Sequence, residues 1–105
     1  MNSINLIGRL TTDPELRFTS SSKKVCTMRL ATDQPGQDSS LFIVVVAWEA
    51  QAESCAEHLT KGRQVAVTGR LQYRQWEDKD GTRHSKHEIV ASQVEFLSKP
   101  QPAGA

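Results

Sequence analysis

The chain has 105 residues, of which 37% are hydrophobic and 24% are charged, and its net charge at pH 7 is +1. These values suit one soluble domain with a modest core rather than two domains. The longest apolar run, residues 41–48, is far shorter than the about 20 residues of a membrane helix. Residues 1–5 have neither the basic region nor the apolar stretch of a secretion signal. We therefore expect a cytoplasmic protein with no membrane contact.

The first half of the chain has the pattern of β-strands separated by turns. A first strand is predicted over Ile4–Leu10, and it ends at turn residues 11–14. Residues 16–19 extend this strand or re-enter the sheet. Residues 25–32 alternate so that one face is apolar, which predicts a half-buried strand. Residues 41–48 are apolar on both faces, as expected of a central barrel strand.

One helix follows these strands. Ala52, Cys55, Ala56 and Leu59 fall at i, i+3, i+4 and i+7, which predicts an amphipathic helix of about ten residues. Glycine is the usual residue just after a helix, so we expect Gly62 to cap this one.

The remaining sequence predicts a long hairpin and a tail. Residues 65–76 form a long strand, and a glycine inside such a strand often marks a bend, here at Gly69. Residues 78–81 have the composition of a hairpin tip, and residues 87–96 return as the last strand or as two strands. Residues 98–105 are expected to be a flexible tail.

This order of elements predicts an all-β protein, with strand, strand, strand, helix, strand and strand in succession. It is the order of an OB-fold, a five-stranded Greek-key barrel with one α-helix between strands 3 and 4. We expect residues 1–97 to form this domain. The pattern alone establishes a small β-barrel with one helix and leaves the closure of the barrel open.

Charged residues are segregated along the chain. Residues 9–29 contain five bases and two acids, residues 33–60 five acids and no Lys or Arg, and residues 61–86 seven bases and three acids. A folded domain can present such segments on different faces, with one basic face for nucleic acid. From charge alone, solvated charge on a β surface is the favoured interpretation. In the first basic segment, Lys23 and Lys24 are candidate contacts to DNA.

The sequence contains no motif of a catalytic, cofactor-binding or metal site. GxSxG, P-loop and HExxH patterns are absent, and His58, His84 and His87 do not have the spacing of metal ligands. Cys26 and Cys55 belong to no CxxC pair, so we expect reduced core thiols rather than a disulfide or zinc ligands. We therefore expect a binding protein without a cofactor or metal, and not an enzyme.

Single-stranded nucleic acid requires flat rings that stack on bases and cations that contact phosphates. The predicted strand 65–76 offers both on one face, because side chains alternate along a strand. That face is polar and basic, and it consists of Ala66, Thr68, Arg70, Gln72, Arg74 and Trp76. We predict that Trp76 stacks on a base beside Arg74. The alternative is that Trp76 covers the end of the barrel or packs in a subunit interface.

Two further aromatic residues lie on one face of the predicted third strand. Phe42 and Trp48 are separated on this face by Val44 and Val46. Their rings are either stacking platforms for bases or part of the core, and the intervening valines favour the core.

Several short segments, in a fixed order and spacing, carry a family resemblance. They are Ile4–Leu10 with residues 13–17, then residues 30–32, 52–53, 59–65, 67–71, 74–78 and 80–81. Over residues 4–97 the chain resembles the bacterial single-stranded-DNA-binding proteins.

The resemblance implies a function and an assembly. It implies an OB-fold that binds and protects single-stranded DNA without reading its sequence, during replication, recombination and repair at the nucleoid. It also implies a homotetramer, for which a dimer of dimers is one arrangement. Trp76, Phe42 and Trp48 fall at stacking positions of the family. Arg74, Lys61 and Arg9 fall where backbone contacts are expected, and Arg70 shares the face of Arg74.

Three departures from the family pattern matter. The short loop 33–40 lacks an aromatic residue that some members have after the second strand, so one stacking platform is missing. Ile43 stands where some members have a histidine at a subunit contact. The sequence ends at Ala105 without the acidic tip through which many members recruit replication and repair proteins, so recruitment of such partners stays open. Two other functions also stay open: an accessory protein-interaction OB module and an RNA-binding OB domain.

Overall fold

The computed structural model describes residues 1–34 and 36–97, which form six strands and one helix. In chain order these are β1 (Ile4–Leu10), β2 (Glu15–Phe18), β3 (Lys24–Asp33), β4 (Ser40–Trp48), α1 (Glu49–His58), β5 (Gln64–Glu77) and β6 (Arg83–Phe96). The predicted tail, residues 98–105, lies outside the described residues.

Five of the strands close into a barrel. β1 pairs with β5, β5 with β6, β6 with β4 and β4 with β3. The ring closes where β3 pairs with the last two residues of β1, Arg9 and Leu10. β4 and β6 are parallel, whereas the other neighbours in the ring are antiparallel. α1 lies between the third and fourth strands of this ring, so the predicted OB-fold is confirmed. β2 is a short sixth strand that pairs with β3 outside the ring.

One apolar core fills the barrel. The inward face of β3 contributes Cys26, Met28 and Leu30, which are fully buried, as the alternation in the sequence predicts. Cys26 and Cys55 are both free and buried, so their predicted position in the core is confirmed. Burial disfavours a thiolate, so it raises the pKa of the Cys26 thiol above its usual value and raises the pKa of Cys55 to about 12. Both thiols are therefore protonated and unreactive at neutral pH.

Gly69 marks the bend that the sequence predicts in β5. The register between β5 and β6 shifts here, because Thr68 lies opposite Gln93 and Gly69 lies opposite Ala91. Ser92 is the extra residue, and its hydroxyl donates a hydrogen bond to the Thr68 carbonyl at 3.0 Å. A Cβ at position 69 would lie 2.2 Å from the Val90 carbonyl oxygen, so only glycine fits.

Past this bulge, β5 and β6 continue away from the barrel as a hairpin. Residues 72–77 and 83–88 pair only with each other, and we call these two segments the hairpin arm. A turn over residues 78–82 closes it, with Gly81 at a φ of 80°. The predicted hairpin tip is thus confirmed, and β6 begins four residues earlier than the sequence suggests.

The predicted helix exists, but its predicted cap is wrong. α1 ends at His58, and the next residue, Leu59, is extended and buried, with its N–H donating to the Cys55 carbonyl. Burial of Leu59 takes the chain out of the helix before Gly62 is reached. Gly62 lies instead in the turn before β5, at a φ of 89°, and its N–H donates to the Leu10 carbonyl at 2.8 Å.

β4 differs from its prediction at one end. Val45 and Ala47 face the core, as expected of a central strand. Leu41 and Phe42 are exposed, because the start of β4 runs beyond the barrel and pairs there only with β3. The continuous apolar pattern of residues 41–48 therefore belongs partly to a surface.

Candidate nucleic-acid interface

A groove crosses the outer face of the barrel between β2 and the hairpin arm. Its cavity measures about 330 Å³ and opens to solvent. Val25 and Thr27 of β3 and Val46 of β4 lie along it, because their side chains point away from the core side of their strands. β2 forms one wall, and the hairpin arm forms the opposite wall. The bulge at Gly69 is thus what positions the second wall.

Aromatic rings lie within this groove and at its far end. Trp48 is the last residue of β4, and it lines the groove together with Phe18, the last residue of β2. Phe18 is 64% exposed although it is a large apolar side chain. Phe42, 69% exposed, lines a second cavity of about 290 Å³. Lys86 lines both cavities, so they form one path along the same surface.

Trp76 lies on the hairpin arm with polar groups against its ring. The Arg74 guanidinium carbon is 4.6 Å from the ring centroid, within cation–π range. His84, directly opposite on β6, stacks at 5.4 Å between centroids with an interplanar angle of 22°. The His84 Nε2 atom lies 2.8 Å from Asp78 Oδ2, and this hydrogen bond is the main reason that the pKa of Asp78 is lowered.

The charges along the path are mostly positive. Arg17, Arg74 and Lys86 line the first cavity, and Arg29 lines the second. Among the described residues that line either cavity, the one acid is Glu88. These groups can bind a chain of phosphates while the aromatic rings receive bases.

The acidic helix lies outside this path. Lys24 binds two of its carboxylates, through the backbone N–H to Glu49 at 3.1 Å and through Nζ to Glu53 at 2.8 Å. None of the helix carboxylates lines either cavity.

The structure brings together some of the predicted site residues and separates others. Trp48 and Arg74 line the groove, and Phe42 lies farther along the same path. Trp76 lines a separate cavity on the hairpin arm and contacts the groove through Arg74. Arg70 lines a different cavity, beside Asn2 and Ser92.

The remaining predicted cations lie elsewhere on the barrel. Arg9 donates from Nη1 to the Gly62 carbonyl, and Lys61 follows α1 in the same turn, with its N–H bound to Asp13. Lys23 is exposed in the turn after β2, and Lys24 faces the helix.

Several residues that line the two cavities were not among the predicted site residues. They are Arg17, Phe18, Arg29 and Lys86. Phe18 belongs to a four-residue strand, too short for an alternation that would show which way its ring points. Lys86 precedes the predicted start of the last strand, although its pairing with Arg74 places it in the groove. A prediction of the hairpin register from the turn at residues 78–82 would have found Lys86.

No cluster of three or more His, Cys, Asp or Glu residues that could hold a metal occurs within residues 1–34 and 36–97. Nor does that part of the chain contain a helix long and apolar enough to cross a membrane.

Comparison with known proteins points to one family. The sequence profile of the single-strand binding protein family matches residues 1–97. A single-stranded DNA-binding protein of Caldanaerobacter subterraneus is 44% identical over 110 residues, which cover 100% of this chain and 73% of the relative. Single-stranded DNA-binding protein 3 of Clostridium acetobutylicum is 47% identical over 92% of this chain and 71% of the relative. A single-stranded DNA-binding protein of Clostridium tetani is also 47% identical, over 92% and 70%.

Proposed function

The chain belongs to the single-strand binding protein family, and we propose that it binds single-stranded DNA along the groove between β2 and the hairpin arm, without reading its sequence. The observation that carries this proposal is the combination within one groove of exposed rings, Phe18 and Trp48, with three cations, Arg17, Arg74 and Lys86. Both parts are needed, because rings bind bases and cations bind phosphates.

The chemistry of the groove supports binding that is independent of sequence. Every base has a π-face, so stacking on Phe18, Trp48 or Trp76 does not distinguish one base from another. The phosphates that Arg17, Arg74 and Lys86 would contact are the same at every nucleotide. The groove thus selects for an unpaired strand, whose bases are free to stack, rather than for a sequence.

The biological role follows from this binding mode. We propose that the protein covers single strands exposed in replication, recombination and repair, in the cytoplasm at the nucleoid. Its action is binding and protection, with no covalent change to the DNA and no cofactor.

We further propose that the protein acts as a homotetramer. The core is small, and Ile7, an apolar residue of β1, is 53% exposed. One edge of β1 pairs with β5 along its length, whereas β3 reaches the other edge only at Arg9 and Leu10. An open strand edge with an exposed apolar residue is the kind of surface that a second copy covers.

A fluorescence titration tests the function. The emission of Trp48 and Trp76 is followed while oligo-dT, oligo-rU or duplex DNA of equal length is added at the same salt concentration. Stacking should quench the emission, and oligo-dT should bind well below the concentration needed for duplex. Equal affinities for oligo-dT and duplex would contradict the proposal, and tighter binding of oligo-rU would point to RNA instead.

A further inference from the structure

Glu88 is a negative charge at the floor of a groove that is otherwise basic. It is only 3% exposed, and it is the one buried charged side chain in the described part of the chain. A carboxylate in this place repels phosphates, and the burial of a charged group is unfavourable unless partners compensate it. Glu88 must therefore have a favourable effect that offsets both the repulsion of phosphates and the unfavourable burial of its charge.

The contacts of Glu88 are all with groups of the groove itself. Its Oε1 atom accepts hydrogen bonds from Arg74 Nε at 2.9 Å and Gln72 Nε2 at 3.1 Å. Its Oε2 atom lies 3.5 Å from Lys86 Nζ. Gln72 faces Glu88 directly across the hairpin, and Arg74 faces Lys86, so the arm's own register brings the four side chains together.

The bond to Arg74 is the one that reaches the DNA-binding face. Because Nε is held by Glu88, the guanidinium has a fixed attachment at the floor, and the four N–H groups of its Nη atoms remain for another acceptor. The same guanidinium lies 4.6 Å from the Trp76 ring centroid. Arg74 thus connects the buried carboxylate with the stacking ring. Its side chain is still 45% exposed, so without Glu88 it would be free to move into solvent.

We propose that Glu88 is a positioning residue for single-stranded DNA: it holds the Arg74 guanidinium between the groove and Trp76, where one phosphate and one stacked base are bound together. This inference rests on the proposed function. It requires that the loss of order of the Arg74 side chain weakens DNA binding more than the loss of repulsion between Glu88 and phosphate strengthens it. The two cations beside Glu88 already compensate its charge, so its removal weakens the repulsion of phosphates little, whereas it frees a long flexible side chain.

The substitution Glu88→Gln separates the two effects, because it removes the charge and keeps the shape. Charge alone predicts tighter binding of oligo-dT, since the groove becomes more positive. Positioning predicts binding weaker by about tenfold, because the glutamine oxygen can accept only a neutral-acceptor hydrogen bond from Arg74 Nε in place of the stronger charge-assisted one. Glu95→Gln is the matched control: it makes the same change of charge on β6, at an exposed residue outside both cavities, and should leave the affinity within about twofold.

A double-mutant cycle shows whether Glu88 acts through Arg74. In an Arg74→Ala background, Glu88→Gln should cause no further loss, and the removal of repulsion should even increase the affinity. The indole N–H resonance of Trp76 in the free protein provides a second readout. It should shift in Glu88→Gln and in Arg74→Ala, and it should not shift in Glu95→Gln.

A second variant keeps the proposal testable if Glu88→Gln does not fold. Arg74→Lys keeps the positive charge at a half-exposed site but lacks Nε, so it should weaken binding about as much as Glu88→Gln does. The proposal is overturned if folded Glu88→Gln or Arg74→Lys binds oligo-dT as tightly as the wild type. It is also overturned if the loss in Glu88→Gln persists undiminished in the Arg74→Ala background. Failure of the wild type to bind oligo-dT would instead refute the proposed function.

Discussion

Among single residues, Trp76 is the one that we predict to be a stacking platform for a base. Arg74 and His84 lie against its ring, and Asp78 holds His84 in place through a 2.8 Å contact. A base that stacks on the indole joins an array of planar groups that already exists, so little additional side-chain order is required on binding. Trp76 is therefore expected to contribute more than an exposed ring on a mobile loop would.

We predict that Trp76→Ala weakens binding of oligo-dT by about 1–3 kcal/mol, the usual value of one stacked base. Trp76→Phe keeps a ring and should retain most of the affinity. Both variants can be measured by anisotropy of a labelled oligo-dT, which does not depend on tryptophan emission. An unchanged affinity in folded Trp76→Ala would show that the ring does not stack on DNA.

Phe18 is predicted to be a second stacking residue, opposite the hairpin arm. Phe18→Ala should weaken oligo-dT binding by about 1–3 kcal/mol, and Phe18→Tyr should bind nearly as the wild type does, since the ring is kept. The same anisotropy measurement applies, with thermal unfolding to verify the fold. If Phe18→Ala binds normally, the path of the strand does not include the β2 wall.

Individual residues of the site differ in how far the sequence could predict their positions. Trp76 and Arg74 lie on a long strand whose alternation is readable, so their common face was predictable. Phe18 lies on a short strand without a readable alternation. The contacts of Glu88 depend on its register with β5, which brings it opposite Gln72, and the sequence of β6 by itself does not show that pairing.

Among the elements, the β5–β6 hairpin arm is the one that makes the groove, and the bulge at Gly69 sets its direction. The extra residue, Ser92, shifts the register of β6 against β5 within the barrel, a few residues from the start of the arm. The close approach of the Val90 carbonyl explains why a glycine is needed in the interior of this strand. The position of the bend was readable from the glycine, whereas its direction was not.

We predict that Gly69→Ala destabilises the protein by about 1–3 kcal/mol, as overpacking does, because its Cβ would collide with the Val90 carbonyl. Gly81→Ala is the matched control. Gly81 has a φ of 80° and open space around it, so alanine there should cost only about 1 kcal/mol. Urea unfolding gives both values. A Gly69→Ala protein as stable as the wild type would mean that the strands can separate at the bulge without cost.

Helix and strand periods were readable along most of the chain, but the ends of the elements were not. α1 has the predicted length, yet it stops where Leu59 enters the core, which is a tertiary effect. The apolar start of β4 reads as a core strand, although Leu41 and Phe42 lie on the surface. Apolar residues that bind DNA or another subunit have the same pattern as apolar residues of the core, so the sequence cannot separate them.

At the scale of the whole molecule, the fold places a group of cations in the groove and the acids of the helix outside it. The net charge of +1 is too small to attract DNA from a distance. The cations Arg17, Arg74 and Lys86 nevertheless share one groove, and the helix acids Glu49 and Glu53 bind Lys24 outside it. Part of the charge segregation along the sequence is thus kept in space, through the cations that share the groove.

We predict a homotetramer at micromolar concentration, because a small core and an open β1 edge favour association. Sedimentation equilibrium measures the state directly. Ile7→Asp places a charge on the exposed edge and should shift the protein towards smaller species. A wild-type protein that sediments as a monomer would contradict the assembly and leave DNA binding by each barrel untouched.

We propose that rings and cations along the groove and the hairpin arm share the binding of single-stranded DNA, and salt separates their contributions. Each neutralised phosphate contributes about −0.7 to the slope of log K against log salt, whereas stacking is not screened in this way.

The decisive measurement is therefore the salt dependence of oligo-dT affinity for the wild type, Arg74→Ala and Trp76→Ala. The wild type should give a negative slope, with part of the affinity surviving at high salt. Arg74→Ala should make the slope less negative by about 0.7 for each site. Trp76→Ala should lower the affinity by a similar factor at every salt concentration. Wild-type affinity that does not change with salt, or an unchanged slope in Arg74→Ala, would contradict the account.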